Sequence, residues 1–469
     1  MISLKYIINQ KFNETKLVEL LFYAFPLCFI IGNLIVSINT LLFITVSLHL
    51  IKKEKLNFRF SNFFWLLIIF YLYIFALTTY QYLTPGILNE RVQDWPLENN
   101  PIFKSFFLLR FVLLIFIIDV LFYNKILNLN KLFLSSLICT SFVSFDLILQ
   151  YIIGFDIFGY KSIEQWNSGP FGDEMIAGTY LKNFSFFSFF YLFNNLKIEK
   201  FKYILLISFI VIHFSAILLT GNRMPLLLFL LGYILILLLV KNLRFLMSLG
   251  MIIFLSFFFI LVKYDDNLNK TYSSFLSEIN IVKLFKSYKK SLPKTNKVEI
   301  ENSAEKSVKA PEKNEFLRWS GYGRIFNTSI EMWKKQPIFG LGLKSFRIIC
   351  WQMLKDDNIL RAASTIKKPQ KITCANHSHN YYLELLVETG IVGLSLLLLF
   401  FIFIFLKSGI YFLKSNEKIN YLLPIFIIFL LEIWPLRSSG SFFTTWGATF
   451  FWINTAILVS YTINKVSLK

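Results

Sequence analysis

Apolar residues run along this chain in uninterrupted blocks near 20 residues long, broken by short polar segments. A block of that length is what an α-helix needs to cross about 30 Å of hydrocarbon at about 1.5 Å per residue. The pattern places spans near 17–35, 38–51, 62–80, 105–123, 132–153, 176–194, 203–220, 224–240, 244–263, 385–407, 420–436 and 442–463. It predicts an all-α membrane protein with about twelve transmembrane helices and one large loop before the last three. The block 38–51 is short, and without it the count is eleven.

Composition agrees: 56% of the 469 residues are hydrophobic, 55 are Phe and the mean hydropathy is +0.59, which excludes an ordinary soluble domain. Lys5, Lys11 and Lys16 lead into an apolar stretch without a small-residue cleavage site, so the first helix is expected to stay. The net charge of +20 comes largely from Lys and Arg in the short breaks, where they set topology among membrane lipids. Nucleic acid is not an expected partner. With the N-terminus inside, every inside break is basic, as the positive-inside rule requires. The same threading puts 81–104, 154–175, 221–223, 264–384 and 437–441 outside. Three regions follow: a bundle at 1–263, a large outside loop at 264–384 and C-terminal helices at 385–469. Between 264 and 380 the loop carries 21 Lys and Arg against 11 Asp and Glu. Its Lys-, Glu- and Ser-rich stretch near 283–313 predicts a mobile arm, and a folded piece is expected from about 316, where aromatics return.

Two of the four histidines, His377 and His379, stand directly before an apolar span at the outer face. A histidine there could accept a hydroxyl proton, or serve as an interfacial polar group. Arg223 occupies a tight outside turn, and Arg324 and Arg437 are also outside by this topology. A guanidinium fork suits phosphate, and it also snorkels to lipid head groups. Arg110, inside a span and too deep for an expected catalytic role, could pair with a carboxylate such as Asp146 and hold helices together. The stretches around Gly169 and Gly340 lack phosphate-loop spacing and read as turns seating a loop on the bundle. No set of His and Cys at ligand spacing predicts a metal site, and no cofactor is expected. Cys350 and Cys374 share the outside loop, where an oxidising compartment permits a disulfide whose geometry the sequence leaves open.

Order and spacing together resemble the O-antigen ligase and O-antigen polymerase superfamily of bacterial envelope glycosyltransferases. The resemblance rests on His379-Asn380-Tyr381-Tyr382-Leu383, followed by Glu388-Thr389-Gly390-Ile391-Val392-Gly393. Upstream, Pro337, Gly340-Leu341-Gly342 and Phe346 resemble the family's glycine turn, Gly221-Asn222-Arg223 its arginine turn, and 169–178 its Gly-x-Phe loop. The resemblance implies metal-independent, inverting transfer from a polyprenyl-diphosphate-linked glycan at the periplasmic face of the inner membrane. On it, His379 deprotonates or positions the acceptor hydroxyl, and Arg223 and Arg324 stabilise the departing diphosphate. His377, Asn380 and Arg437 bind or orient substrate. Lipid A core as acceptor makes an O-antigen ligase in lipopolysaccharide biosynthesis, a growing glycan makes a polymerase, and a protein hydroxyl makes an O-oligosaccharyltransferase. A flippase for lipid-linked oligosaccharide is the alternative of another class, and it predicts charged residues lining the bundle interior.

Overall fold

The computed structural model describes residues 14–58, 62–84, 100–163, 166–197, 199–278, 321–362, 372–414 and 419–462. The expected mobile arm at 283–313 lies outside the described residues. The helices in chain order are α1 (Glu14–Tyr23), α2 (Phe25–Ile31), α3 (Asn33–Lys53), α4 (Asn62–Leu83), α5 (Pro101–Phe107) and α6 (Leu109–Tyr123). Then come α7 (Leu129–Ile153), α8 (Ala177–Asn195), α9 (Glu199–Leu219), α10 (Arg223–Leu239), α11 (Arg244–Tyr264) and α12 (Asp266–Glu278). The chain continues with α13 (Gly321–Trp333), α14 (Ser345–Ala362), α15 (Tyr381–Lys414), α16 (Ile419–Glu432) and α17 (Thr445–Thr462). Among the described residues there is no β-strand, only isolated bridges such as Phe155 to Lys161.

Seven helices among the described residues are long and apolar enough to cross a membrane by length and composition, against about twelve spans expected. The others fall short for visible reasons. The first expected span is broken at Ala24 and Gly32, α8 and α17 are diluted by polar residues such as Lys182, Asn183 and Asn454, and α10 and α16 are apolar but only 17 and 14 residues long. The protein is a multi-pass membrane protein built almost wholly of helices.

Local signals set the helix ends. Asn100 caps α5 by accepting from Ile102 N–H at 2.8 Å, with Pro101 in the first turn. Asn128 caps α7 through Asn130 N–H at 2.8 Å. From Ala448 to its end every residue of α17 is buried, so it is a central helix packed on all sides. Aromatic edges and faces fill its surroundings: Phe29 meets Trp446 at 5.2 Å, Phe184 meets Phe450 at 5.0 Å, and Trp446 Nε1 donates to Phe29 O at 3.0 Å.

Hydrogen bonds between connections sort the two ends of the bundle. At one end Asn124 Nδ2 donates to Asn57 O at 2.8 Å, and Asn195 Nδ2 reaches Asn130 Oδ1 at 3.5 Å. At the other, Tyr151 donates to Asp265 at 2.8 Å, Asn167 to Leu219 O at 2.6 Å, and Gln81 to Gly340 O at 3.1 Å. That second end carries α12, α13 and α14. The lobe of α13 and α14 is held by a Cys350–Cys374 disulfide and by Thr373 N–H donating to Thr328 Oγ1 at 3.0 Å.

Candidate active site

The turn 337–342 seats this lobe on α15, as its composition suggested. Helix α15 is interrupted at Gly390, whose φ of 63° and ψ of −169° belong to a region open essentially to glycine alone. The interruption frees main-chain groups that the turn satisfies. Leu341 N–H and Gly342 N–H donate to Val387 O and Glu388 O, each at 2.9 Å, and Ile391 N–H and Val392 N–H donate to Pro337 O and Ile338 O at 3.0 and 3.1 Å. The backbones touch so closely that a Cβ on Gly390 would lie 2.2 Å from Ile338 O.

One turn of chain before α15 stand His377, Ser378 and His379. Asn380 caps the helix, its Oδ1 accepting from Tyr382 N–H at 3.0 Å and Leu383 N–H at 3.1 Å. Its Nδ2 donates to Pro435 O at 2.9 Å and Arg437 O at 3.2 Å, and Ser439 N–H donates to His379 O at 2.8 Å. His379 is thereby held at a φ of 53°, in the left-handed region. Its ring lies 4.1 Å from that of His377 and meets the Tyr322 ring of α13 edge-on at 5.4 Å. Burial, then the neighbouring His377, pushes the His379 pKa down to about 4. His377 is lowered too, chiefly by burial and then by the charges of Lys344 and Arg347, against a backbone hydrogen bond with Ser439. Both imidazoles are neutral near pH 7, and among the described residues neither forms an ion pair with a carboxylate.

Arg324 sits two residues past Tyr322 on the same helix, half-buried, and its Nε has no hydrogen-bond partner among the described residues. Arg223 opens α10, and its charge bears on Tyr272 of α12. Asn222 beside it donates to Met175 O at 3.3 Å. Arg437 is turned inward and only 6% exposed. It pairs with Glu432 at 2.8 Å, donates to Tyr381 Oη at 3.4 Å and lies 4.8 Å over the Tyr381 ring, and its Nε has no hydrogen-bond partner among the described residues. The expected Arg110–Asp146 pair is not formed: Arg110 donates to Thr445 Oγ1 at 3.1 Å, while Asp146 accepts from Ile157 N–H at 2.8 Å. The two lie on different helices with nearer partners of their own.

The structure adds residues that the sequence reading passed over. Lys344, at a φ of 64°, sends its ammonium to Ser441 Oγ at 3.3 Å. Lys344 and Arg347 both act electrostatically on the buried Glu384 and Glu388, a turn apart at the start of α15. Glu384 accepts from Phe442 N–H at 2.6 Å, tying α15 to the turn 433–444. Nothing in the pattern of the chain separates Lys344 and Arg347 from the loop's many other cations. Among the described residues no group of three or more His, Cys, Asp and Glu side chains is arranged to hold a metal ion.

Residues 208–398 match the family model described as O-Antigen ligase. The matched stretch runs from α9 through the arginine turn, the glycine turn and the histidine motif into α15. Over that stretch, less than half of the chain, the protein is similar to the O-antigen ligase family, which supports the O-antigen ligase and polymerase superfamily. Among curated proteins, none matches the chain.

Proposed function

We propose that the protein transfers a glycan from polyprenyl diphosphate to an acceptor hydroxyl at the periplasmic face of the bacterial inner membrane, as an O-antigen ligase whose acceptor is lipid A core. The observation that carries the reading is His379: a neutral, half-buried imidazole clamped in a left-handed turn beside His377 and Tyr322, within the matched family stretch. On this reading the bundle is 1–263, the periplasmic loop 264–384 and the C-terminal helices 385–469. A disulfide in the loop suits an oxidising compartment.

The acceptor oxygen forms a bond to the anomeric carbon from the face opposite the diphosphate, inverting the centre. As it does so its proton passes to His379, and the C–O bond to the diphosphate breaks, its electron pair leaving with the polyprenyl diphosphate. Arg223 and Arg324 meet the charge that develops on that leaving group. Neither step draws on a metal or a cofactor. His377 and Asn380 orient the acceptor and the base, and Arg437 acts from behind them.

The test supplies purified protein with a polyprenyl-diphosphate-linked oligosaccharide, lipid A core and a chelator. Transfer to the core by the wild type, reduced at least ~10²-fold in His379→Ala and in Arg223→Ala, is expected. Longer polyprenyl-linked glycans would reassign the protein as a polymerase. Glycan crossing reconstituted bilayers without transfer would overturn the enzyme reading.

A further inference from the structure

Lys182, Glu432 and Arg437 come from three places in the chain and meet in the interior, at 1%, 2% and 6% exposure. Glu432 Oε1 accepts from Lys182 Nζ of α8, and Glu432 Oε2 pairs with Arg437 Nη1 at 2.8 Å. Arg437 Nη1 also donates to Glu432 O at 3.1 Å and Leu431 O at 3.3 Å. Charges buried this deeply persist only when paired and hydrogen-bonded, so the three side chains fix one another. Lys182 anchors Glu432 to a helix that is itself packed on all sides. Glu432 in turn holds Arg437, and with it the turn 433–444.

That same turn receives the outward anchors of the histidine motif. Pro435 O and Arg437 O accept from Asn380, Ser439 N–H grips His379 O, and Ile433 O accepts from Tyr382 Oη. A non-glycine residue in the left-handed region stays there only when its surroundings over-determine it. We propose that the Lys182–Glu432–Arg437 triad is the positioning device for His379, with Glu432 the positioning residue that acts through Arg437 and Asn380. The proposal rests on the transferase reading above for its consequence, but its geometry stands apart from it. Lys182, Glu432 and Arg437 all lie outside the stretch 208–398 that matches the family.

The experiment compares full-length wild type, Glu432→Gln, Arg437→Lys and each combined with His379→Ala. Two quantities are read: the kinetics of glycan transfer, and the rate at which diethyl pyrocarbonate modifies His379, followed by mass spectrometry. Glu432→Gln is expected to lower kcat about 10²-fold, the cost of displacing a reacting group by about 1 Å, with the donor KM changed less than about 3-fold. His379 modification should accelerate, and Glu432→Gln should cause no further loss on top of His379→Ala. Arg437→Lys keeps the charge but loses the fork, so it should move both readouts in the same direction by less, and it serves if Glu432→Gln does not accumulate. An unchanged His379 modification rate in folded Glu432→Gln, or a full additional loss on top of His379→Ala, overturns the proposal. If the wild type transfers nothing, the transferase reading fails while the modification arm still decides the positioning role.

Discussion

His379 is uncharged at neutral pH because burial and the adjacent His377 push its pKa down to about 4. An ordinary exposed histidine would begin to lose its basic form below about 6.5. If His379 takes the acceptor proton, kcat/KM should therefore stay flat as the pH falls from 8 through 6.5 and drop only toward about 4. The sign is that of a lowered pKa: protonation favours the unfolded chain, so the stability contribution of neutral His379 is complete above about 6.5 and is lost as the pH falls through about 4. An acidic limb centred near 6.5 in transfer assays would show that a different, unperturbed group is the base. The position of His379 was legible in the sequence, since two histidines directly before an apolar span form a local signal. Its partners were not, because Tyr322 and Ser439 approach it from segments 57 and 60 residues away, by difference of residue numbers. For Arg437 a usable signal was present: Lys182 and Glu432 are lone charges in apolar helices, and such residues ordinarily find each other.

Helix α15 shows how an element can be right in outline and still hide its main feature. Its apolar run from 385 onward marks a span, and the helix extends from Tyr381 to Lys414. The break at Gly390 is invisible in that run because one glycine inside an apolar helix is common, and its meaning depends on the Pro337–Gly340 backbone arriving from a distant segment. Two glycines of the same helix make the test. Gly390→Ala forces a side chain into left-handed backbone, about 1–3 kcal/mol by itself, and brings its Cβ to 2.2 Å from Ile338 O, a contact that only main-chain movement relieves. Gly409 has open space around its ideal Cβ and ordinary helical backbone, so Gly409→Ala should be neutral or gain up to about 1 kcal/mol. Thermal unfolding in detergent should show Gly390→Ala strongly lowered and Gly409→Ala unchanged or raised. Equal midpoints would mean that the kink and its seat on the loop do not hold the lobe in place.

At the scale of the whole molecule the connections segregate into two groups joined by the helices, and the charge pattern gives that segregation a direction. The end defined by the Asn57–Asn124 and Asn130–Asn195 contacts carries Lys52, Lys53, Lys55, Lys125 and Lys131 within its short breaks. The opposite end carries the disulfide, the histidine motif and the connection from 154 to 176. On the function proposed above, the positive-inside rule makes the first end the cytoplasmic one and the second the periplasmic one, an orientation open to test. The native cysteines permit a clean test, since Cys28 and Cys139 are buried and Cys350 is bridged to Cys374. Glu54 and Lys161 are both exposed and lie on opposite ends. In intact spheroplasts a membrane-impermeant maleimide should label Lys161→Cys at once and Glu54→Cys only after permeabilisation, while the unsubstituted chain stays unlabelled until a reductant opens the Cys350–Cys374 bridge. Labelling of Glu54→Cys alone in intact spheroplasts would invert the orientation and move His379 to the cytoplasmic face, where a lipid-linked glycan already exported could not reach it.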